Sequence, residues 1–544
     1  MRYYKYLGAS VLSILLSTTS CNDAFLEKYP LDKINDASFW TSASDIEMYA
    51  NQFYVALKDP NYIWRNDDVT DNNGPGARST YAWNEYTVPA TGGGWGKGDW
   101  LGIRRCNFAL DRIAAMTKTP EVTVYEAEIR FFKAFYYMDK LKRFGDVPWL
   151  EHSLETDSED LFKARDPRAL VFENIGKELD FAIANLPEAS AADRLTKYAA
   201  LAFKVNSYLY EGTFRKYHGL GGHEALLRQA VSAAESIISS GRFSLYSTGH
   251  PESDYFDLFV QYELKGNPEG IMIQRFLEGK RMHNNVRQLG EPHTGYTKDF
   301  VDSYLCADGL PITVSPLYNG DKEFGDEFVN RDPRMEQSIY QENRVYRIYE
   351  NGSKEYRPMP EFDNNYAPTS YYILKGYSVY ERDRLQLQCI VDDFIFRYGE
   401  VLVSYAEAKA ELGEATQDVL DKSVNLLRDR VGMPHLKVEV GFTDPSWPAW
   451  EVAITPLLNE IRRERRIELA GEGKRWDDIV RWKAGKLLEN PKTYQGAKDP
   501  ATGKNRILYP GYDNRKWNDR LYLYPIPTQE IALNPLLTQN PGWE

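Results

Sequence analysis

Apolar residues recur at helical spacing over much of the chain. The segment Ser44–Leu57 is predicted to be a helix, because Ser44 can cap it and its apolar residues fall on one face. Residues 121–143 are apolar around most of the circumference, which is typical of a buried helix. That helix is expected to end at Gly145, since Pro148 prevents continuation.

The rest of the helical pattern falls into blocks. The predicted helical segments are 101–114, 168–241 with breaks at Pro187 and Gly219–Gly222, 391–431 with a break at Gly413, 456–470 and 475–484. Two antiparallel helices joined by a short loop form the repeating unit of tetratricopeptide-type solenoids. The repeat signature of about 34 residues does not read cleanly here. The pattern therefore predicts a mainly α fold built from degenerate helix pairs.

Long stretches between these blocks show neither the helical period of 3.6 residues nor the strand period of two. Residues 243–380 are rich in Gly, Pro, Asp, Asn and Tyr, with short extended runs at 270–275 and 344–349 that predict small strands. Residues 62–100 hold four Trp, three Tyr and seven Gly, and their only aliphatic residues are Ile63, Val69 and Val88. Disordered segments are poor in aromatic residues. We therefore interpret 62–100 as an ordered loop that displays aromatic rings beside Asp and Asn side chains.

The N-terminus has the layout of a targeting segment. Arg2 and Lys5 precede an apolar run at 7–16 and small residues at 17–20, and Cys21 follows directly. This order resembles a bacterial lipobox, in which the Cys is acylated. It predicts a lipoprotein signal peptide over 1–20 and a lipid anchor at Cys21. An ordinary signal peptide with an incidental Cys is the alternative.

Composition excludes several other classes of protein. The chain of 544 residues has a formal net charge of −13, which disfavours nucleic acid as a partner because that binding depends on Lys and Arg at phosphates. It contains no run of 18 apolar residues that would span a membrane. Cys106, Cys306 and Cys389 are too widely spaced for a metal-type motif and are interpreted as buried apolar residues. The seven His residues show no metal-ligand spacing.

Four stretches in one order carry a resemblance to a known family. They read EIRFFKAFYY at 128–137 with FGDVP at 144–148, FIFRYGEVL at 394–402 with YAEA at 405–408, IRRERRIELAGEGKRWDDIVRW at 461–482, and YLYPIP at 522–527 with NP at 534–535 and QNPG at 539–542. Shorter stretches that carry the same resemblance are Phe25–Glu27 with Pro30, Asp308–Gly309 and Arg331–Arg334. In this order the set resembles the SusD/RagB family, over nearly the whole length after the leader.

The resemblance implies an outer-membrane lipoprotein exposed at the cell surface, anchored through Cys21. It implies a right-handed scaffold of four tetratricopeptide-like helix pairs with a loop-rich portion. Such proteins bind glycans without cleaving them and cover a SusC-like TonB-dependent transporter, with no cofactor. The chain would then be one SusD-like domain over 21–544. Its scaffold would lie at about 40–60, 101–242, 391–431 and 456–485, and its loop-rich insertions at 62–100, 243–390, 435–455 and 486–544.

The charged stretch 460–481 is interpreted as structural. Arg465 and Glu468 are neighbours on one helix, and apolar residues such as Ile461 and Ile479 supply a buried side. Arg carries several donors and can join the carboxylates of adjoining helices. Arg397, Glu400 and Glu407 are interpreted in the same way.

The loop 62–100 has the chemistry of a sugar-binding surface. Aromatic rings stack on the C–H faces of sugars, and Asp, Asn and Arg bind their hydroxyl groups. The predicted ring platforms are Trp83, Trp95 and Trp64, and the predicted polar partners are Asn66, Asp67, Asp71, Asn72 and Asn73. Core packing is the alternative for each Trp. Trp100 is expected to pack at the start of the helix that follows.

The irregular insertion offers a second polar and aromatic set. Its predicted contributions to glycan binding are Tyr296, Arg357 and Tyr372, with Asp363, Asn364, Asn365 and Tyr371 nearby in sequence. These choices rest on side-chain chemistry alone.

Three alternatives stay open at this stage. The oxygens of 67–73 could ligate a structural calcium ion, although the spacing and the Glu of an EF-hand are missing. The protein could be a lid that binds a peptide or another nutrient. A glycoside hydrolase would need two carboxylates about 5–9.5 Å apart, and with 79 acidic residues the sequence spacing decides nothing. GxSxG, HExxH and Walker motifs do not occur.

Overall fold

A computed structural model describes residues 39–57, 61, 63–190, 193–362, 366–512 and 514–544. The predicted signal peptide, Cys21 and the Phe25–Glu27 agreement lie outside these residues, as do Asp363, Asn364 and Asn365. Within the described part of the chain, the helices are too short or too polar to cross a membrane.

The fold is mainly α. The helices are α1 (Ala43–Ala50), α2 (Lys97–Ile113), α3 (Pro120–Phe144), α4 (Arg168–Asn185), α5 (Lys197–Tyr217), α6 (His223–Ile238), α7 (Asp254–Asp257), α8 (Asn285–Gly290), α9 (Lys298–Ser303), α10 (Pro333–Ser338), α11 (Glu381–Arg384), α12 (Tyr398–Glu411), α13 (Gln417–Asp421), α14 (Val424–Arg430), α15 (Pro456–Glu468), α16 (Arg475–Arg481) and α17 (Thr528–Leu533). Short 3-10 helices cover Asn51–Ala56, Ile63–Val69, Glu159–Phe162, Phe324–Phe328, Gly485–Glu489, Pro491–Tyr494 and Asp519–Tyr522.

The long helices pack in sequence order as tetratricopeptide-like pairs. α3 packs on α4, α5 packs on α6, and α12 packs on both α6 and α15. The central helices supply one continuous hydrophobic core, to which Phe131, Ile175, Leu209 and Leu402 contribute. A second core lies under the irregular insertion and is built mainly from Tyr and Phe side chains.

The strands form three small antiparallel sheets in the described residues. β1 (Gly270–Gln274) pairs with β4 (Asp393–Arg397), β2 (Arg347–Ile348) with β3 (Lys354–Glu355), and β5 (Gln495–Asp499) with β6 (Lys504–Ile507). In the first sheet Ile273 lies opposite Phe394, so the sheet closes the insertion against the helical scaffold.

The predicted helix positions agree with the structure except at some boundaries. Ser42, not Ser44, caps α1, because its hydroxyl and the Asp45 carboxylate form a reciprocal capping box. α1 gives way to a 3-10 helix at Asn51. Residues 393–397 were predicted as helix and form β4, because pairing with β1 outweighs the local pattern. Gly145 ends α3 with a φ of 74°, as the sequence indicates.

The charged stretch is structural, as predicted. The Glu468 carboxylate is fully buried and accepts hydrogen bonds from Arg430 at 2.8 Å, Arg397 at 2.7 Å and Arg334 at 3.2 Å. Burial raises the pKa of Glu468, but these three guanidinium groups outweigh it and lower the pKa to about 2. Glu468 therefore joins α15 to α10, α14 and β4 as a carboxylate.

The other side of α15 is tied to α16 by the same kind of contact. Arg465 donates from Nε to Asp478 at 3.0 Å, and Arg481 donates to Glu407 of α12 at 2.7 Å. Glu400 is paired with Lys474 at 2.6 Å. Cys106, Cys306 and Cys389 are free thiols and are buried, as predicted.

Candidate functional site

The loop between the 3-10 helix Ile63–Val69 and α2 is held by the helices of the charged stretch. Arg475 of α16 donates two parallel hydrogen bonds to Asp71, from Nε to Oδ1 at 2.8 Å and from Nη2 to Oδ2 at 2.7 Å. Arg466 of α15 donates from Nε to the Asn72 side chain at 2.8 Å and from Nη2 to the Asp71 carbonyl at 2.9 Å. Bidentate pairs of this kind fix both position and orientation.

These contacts correct the predicted roles of the polar residues. Asp67, Asp71, Asn72 and Asn73 are each 2% exposed or less, so they hold the loop in place and are not displayed to a ligand. Their amide and carboxylate groups bond to one another and to the helices, because a buried polar group must find its partner inside the protein. Asn66 is exposed, but it lies beside the turn at Gly473.

The same contacts bear on the alternative that residues 67–73 ligate a calcium ion. Burial raises the pKa of Asp71, but Arg466 and Arg475 outweigh it and bring the pKa below its usual range. Asp67 accepts from Asn72 at 3.1 Å and from the Gly471 backbone at 3.3 Å. Burial raises the pKa of Asp67 to about 7. Both oxygens of Asp71 accept from Arg475, whereas Asp67 accepts through Oδ2 and its Oδ1 has no partner among the described residues. Within the described part of the chain, no three His, Cys, Asp or Glu side chains are placed to hold a metal ion together.

Two of the three predicted ring platforms are core residues. Trp64 is 3% exposed and donates from Nε1 to Asn285 at 3.1 Å. Trp95 is 5% exposed and packs edge-on against Trp100 and Phe144, with ring centroids 5.2 and 4.8 Å away. Neither ring has an open face for a sugar, so core packing is the correct interpretation for both. Trp100 lies in the first turn of α2 and packs against the core, as expected.

Trp83 differs from them, because it is half-buried in an aromatic cluster. Tyr509 and Tyr512 stand nearly perpendicular to its ring, at centroid distances of 5.5 and 6.1 Å, and Tyr494 lies beneath at 5.6 Å. Tyr512 is 47% exposed. Perpendicular packing holds the rings rigidly. The cluster therefore presents a fixed aromatic surface to solvent.

Two guanidinium groups accompany these rings. The Cζ of Arg78 lies 3.9 Å from the centroid of Tyr512 and 5.2 Å from that of Trp83, and Arg515 lies 5.2 Å from Trp83 on its buried side. Arg515 donates to the Ala82 carbonyl at 3.0 Å. Burial lowers the pKa of Arg515 to about 10. Arg78 is the more exposed of the two and supplies hydrogen-bond donors at the edge of the rings.

The aromatic surface continues from the loop onto the irregular insertion. The Tyr509 hydroxyl donates to the Pro75 carbonyl at 2.5 Å, and the Gly76 backbone donates to the His293 carbonyl at 2.9 Å. The exposed His293 ring packs edge-on with Tyr366 at 5.6 Å. We call the surface formed by Arg78, Trp83, His293, Tyr366, Tyr509 and Tyr512 the aromatic face.

Among the described residues predicted in the insertion, Arg357 contacts Tyr366 of this face. Its Cζ is 5.8 Å from the Tyr366 centroid and 4.1 Å from that of Tyr346. Tyr296 is fully buried and Tyr372 is 2% exposed, which corrects their predicted role as ligand contacts. The Tyr372 hydroxyl donates to Glu361 at 2.7 Å, so it stabilises the insertion from within.

Sequence reasoning missed most of the aromatic face. Tyr509 and Tyr512 lie in a region without period, and the only signal was the run Tyr509-Pro-Gly-Tyr512, in which a turn places aromatic residues at a surface. Arg78 and Tyr366 carried no local signal. Partly exposed aromatic rings next to guanidinium and imidazole groups can stack on a sugar ring and bind its hydroxyl groups.

Comparison with known proteins places the chain in a family. The SusD family model matches residues 259–543, slightly more than half of the chain. SusD-like protein P2 of Formosa agariphila is 24% identical over the full length of both chains. A SusD-like protein of Bacteroides fragilis has a TM-score of 0.74 at 24% identity, covering 95% of this chain and 100% of that one.

A second Bacteroides fragilis structure, described as a SusD-like carbohydrate-binding protein, has a TM-score of 0.70 at 22% identity over 92% of this chain and 100% of that one. These structural matches agree with the paired-helix scaffold and the loop-rich portion described above. Together with the family model, they identify this chain as a member of the SusD family.

Proposed function

We propose that this protein binds an oligosaccharide at the aromatic face and delivers it to a SusC-like TonB-dependent transporter, without cleaving it. The observation that carries the proposal is the Trp83 cluster, in which a half-buried indole, an exposed Tyr512 and the Arg78 guanidinium share one surface. Carbohydrate binding is the stated property of one of the related structures. The chemistry of the face is consistent with the same class of ligand here.

The geometry of the cluster suits capture from dilute solution. Its rings are held by ring–ring contacts and by the bond from Tyr509 to Pro75, so little side-chain freedom is lost when a ligand binds. Stacking gives affinity for the C–H face of a sugar, and Arg78 and His293 supply polar contacts at the edges. Affinity at such an open surface is expected to be modest.

Position outside the cell follows from the proposed anchor. Acylation of Cys21 would hold the chain on the outer membrane, with the scaffold displayed at the surface, and the transporter would be the neighbouring partner. Delivery of an intact oligosaccharide requires selectivity for a sugar and no catalytic group.

The acidic group beside the rings supports binding rather than hydrolysis. Glu85 is ion-paired with Arg78 at 2.5 Å, next to Trp83. A glycoside hydrolase needs one carboxylate to donate a proton and a second one on the opposite side of the scissile bond. A carboxylate held by a guanidinium is suited to orienting Arg78.

The test is retention of the purified protein in gels that contain single polysaccharides. We expect at least one polysaccharide to retard the wild type and to retard Trp83→Ala much less. Trp95→Phe is the matched control, because Trp95 is buried and its substitution should leave retention unchanged. Binding of peptides with no retention on any polysaccharide would contradict the proposal, and so would release of sugar products by the purified protein.

A further inference from the structure

A cavity of about 610 Å³ is lined by residues other than those of the aromatic face. We propose that it is a second carbohydrate subsite, which accepts one or two neutral sugar residues. The proposal rests on the proposed function, since it assigns a second place on the molecule to the same class of ligand. Its volume falls in the range of about 300–1,000 Å³ that is usual for small-molecule sites.

One face of α15 forms the floor of the cavity. Asn459, Arg462, Arg463 and Arg466 all line it, and their spacing of three and four residues places them on the same side of the helix. Most long helices of this protein turn such a face toward another helix. Here the face carries three guanidinium groups and an amide, and it is turned toward open space.

Two indoles form a wall that adjoins this floor. Trp447 donates from Nε1 to Glu460 at 2.7 Å, and Trp450 donates from Nε1 to Asn459 at 2.5 Å. The loop that carries them is fixed because Asp444 accepts from Arg463 at 2.5 Å and from Thr313 at 2.7 Å. Both indoles are half-buried and line the cavity. With their N–H groups bonded to the helix, the rings are anchored at one edge.

The Arg462 guanidinium packs on aromatic rings beside the cavity, with its Cζ 4.5 Å from the Trp450 centroid and 4.3 Å from that of Trp482. Arg462 is 2% exposed, lines the cavity, and pairs through Nη2 with Glu411 at 2.8 Å. Its Nε and Nη1 have no acceptor among the residues that the structure describes. A buried donor without a partner costs about 1–3 kcal/mol. The Trp450 and Trp482 rings that pack on the guanidinium offset part of that cost through cation–π contacts.

The balance of charge in the cavity favours a neutral ligand over an anion. Arg466 is paired with Asp299 at 2.9 Å, and Lys492 with Asp302 at 2.6 Å. Arg463 is paired with Asp444 on the indole side. Because the cations already have carboxylate partners, an anion would compete with these carboxylates. A sugar hydroxyl can both donate and accept, so it fits a wall that offers donors and acceptors side by side.

The experiment measures binding of a panel of neutral trisaccharides at millimolar concentration to the purified full chain, by ligand-observed NMR and by tryptophan fluorescence. Four proteins are compared: the wild type, Trp447→Ala, Trp447→Phe and Trp83→Ala. We expect Trp83→Ala to keep the weak binding that belongs to the cavity. Trp447→Ala should weaken that binding at least fivefold, and Trp447→Phe should restore it, since Phe keeps a flat ring. Thermal unfolding shows whether each variant is folded.

The outcomes separate this inference from the proposed function. If Trp83→Ala abolishes all binding and Trp447→Ala changes none of it, the second subsite is rejected and the aromatic face stands. If the wild type binds no sugar of the panel and no polysaccharide in the gels, both are rejected. Preference for glucuronate over the neutral sugars, lost in Trp447→Ala, would reject the neutral class of ligand.

Discussion

The carboxylate of Asp71 and the guanidinium of Arg475 form a bidentate pair, at 2.8 and 2.7 Å, between residues 404 positions apart in the chain. Both side chains are buried, at 2% and 5% exposure. The pair fixes the base of the loop that carries Trp83 to α16. The position of the aromatic face therefore depends on a buried charged contact that lies outside that face.

Breaking this pair is expected to cost more stability than breaking a similar pair at the surface. Arg475→Met leaves Asp71 buried without its bidentate partner, and the loss should be about 3–5 kcal/mol in the free energy of unfolding, measured with urea. Asp477→Asn is the matched control on the same helix, because Asp477 and Lys142 are paired at 2.6 Å and partly exposed. Its cost should stay below about 1 kcal/mol. Equal losses would contradict a structural role for Asp71.

Asp67 is expected to make stability depend on pH. Burial raises its pKa from 3.8 to about 7, so the folded state binds this proton more tightly than the unfolded state. The resulting stabilisation is complete below pH 3.8 and is lost as the pH rises toward 7. The shift corresponds to about 4 kcal/mol, at 1.36 kcal/mol per pKa unit.

The measurement compares unfolding free energies of the wild type and Asp67→Asn between pH 4 and pH 8. Asparagine keeps an acceptor for Asn72 and Gly471 and carries no charge. The variant should gain stability relative to the wild type as the pH rises through this window. Asp157→Asn, at an exposed position, should follow the wild type. A constant difference between wild type and Asp67→Asn would show that Asp67 stays ionised in the folded protein.

Substitution of Trp83 is expected to weaken ligand binding, whereas substitution of Trp95 is expected to lower stability. Trp83→Ala removes a half-buried ring from the aromatic face and should weaken polysaccharide binding about tenfold or more, which corresponds to about 1.4 kcal/mol. Trp95→Ala removes a ring from the core and should lower the free energy of unfolding by about 3–5 kcal/mol. Titration calorimetry and urea unfolding measure the two effects. Loss of binding in a folded Trp95 variant would show that Trp95 contributes to the binding site, which would contradict this prediction.

Tyr512 should act through its ring and not through its hydroxyl. Its ring is 47% exposed and lies under the Arg78 guanidinium, at 3.9 Å. Tyr512→Ala is expected to weaken binding about three- to tenfold, because a stacking surface and a cation–π contact are lost. Tyr512→Phe should stay within about twofold of the wild type, because the ring is kept. Equal losses in both variants would assign the contact to the hydroxyl group.

The order of the helices could be predicted from the sequence because helix formation follows local rules. The apolar spacing of 121–143 and the stop at Gly145 are both local, and α3 has those bounds to within a residue or two. The structural role of the charged stretch could also be predicted. A helix that buries apolar residues such as Ile461 also buries some of its Arg and Glu side chains, and buried charges need partners of opposite sign. The four ordered motifs indicated the family for the same reason, as each lies within one continuous stretch.

Which tryptophan carries the site was decided only by the tertiary structure. Trp83 and Trp95 lie in one loop with Gly-rich and polar neighbours, and nothing local distinguishes these two. Trp64 has no such Gly neighbours, which favours core packing for it. Trp95 is buried because Phe144 ends α3 against it. Trp83 is only half-buried, because its partners are Tyr509 and Tyr512, more than 400 residues later. The chemistry of the loop was set by its sequence. The exposure of each ring depends on distant residues, and no local pattern encodes their positions.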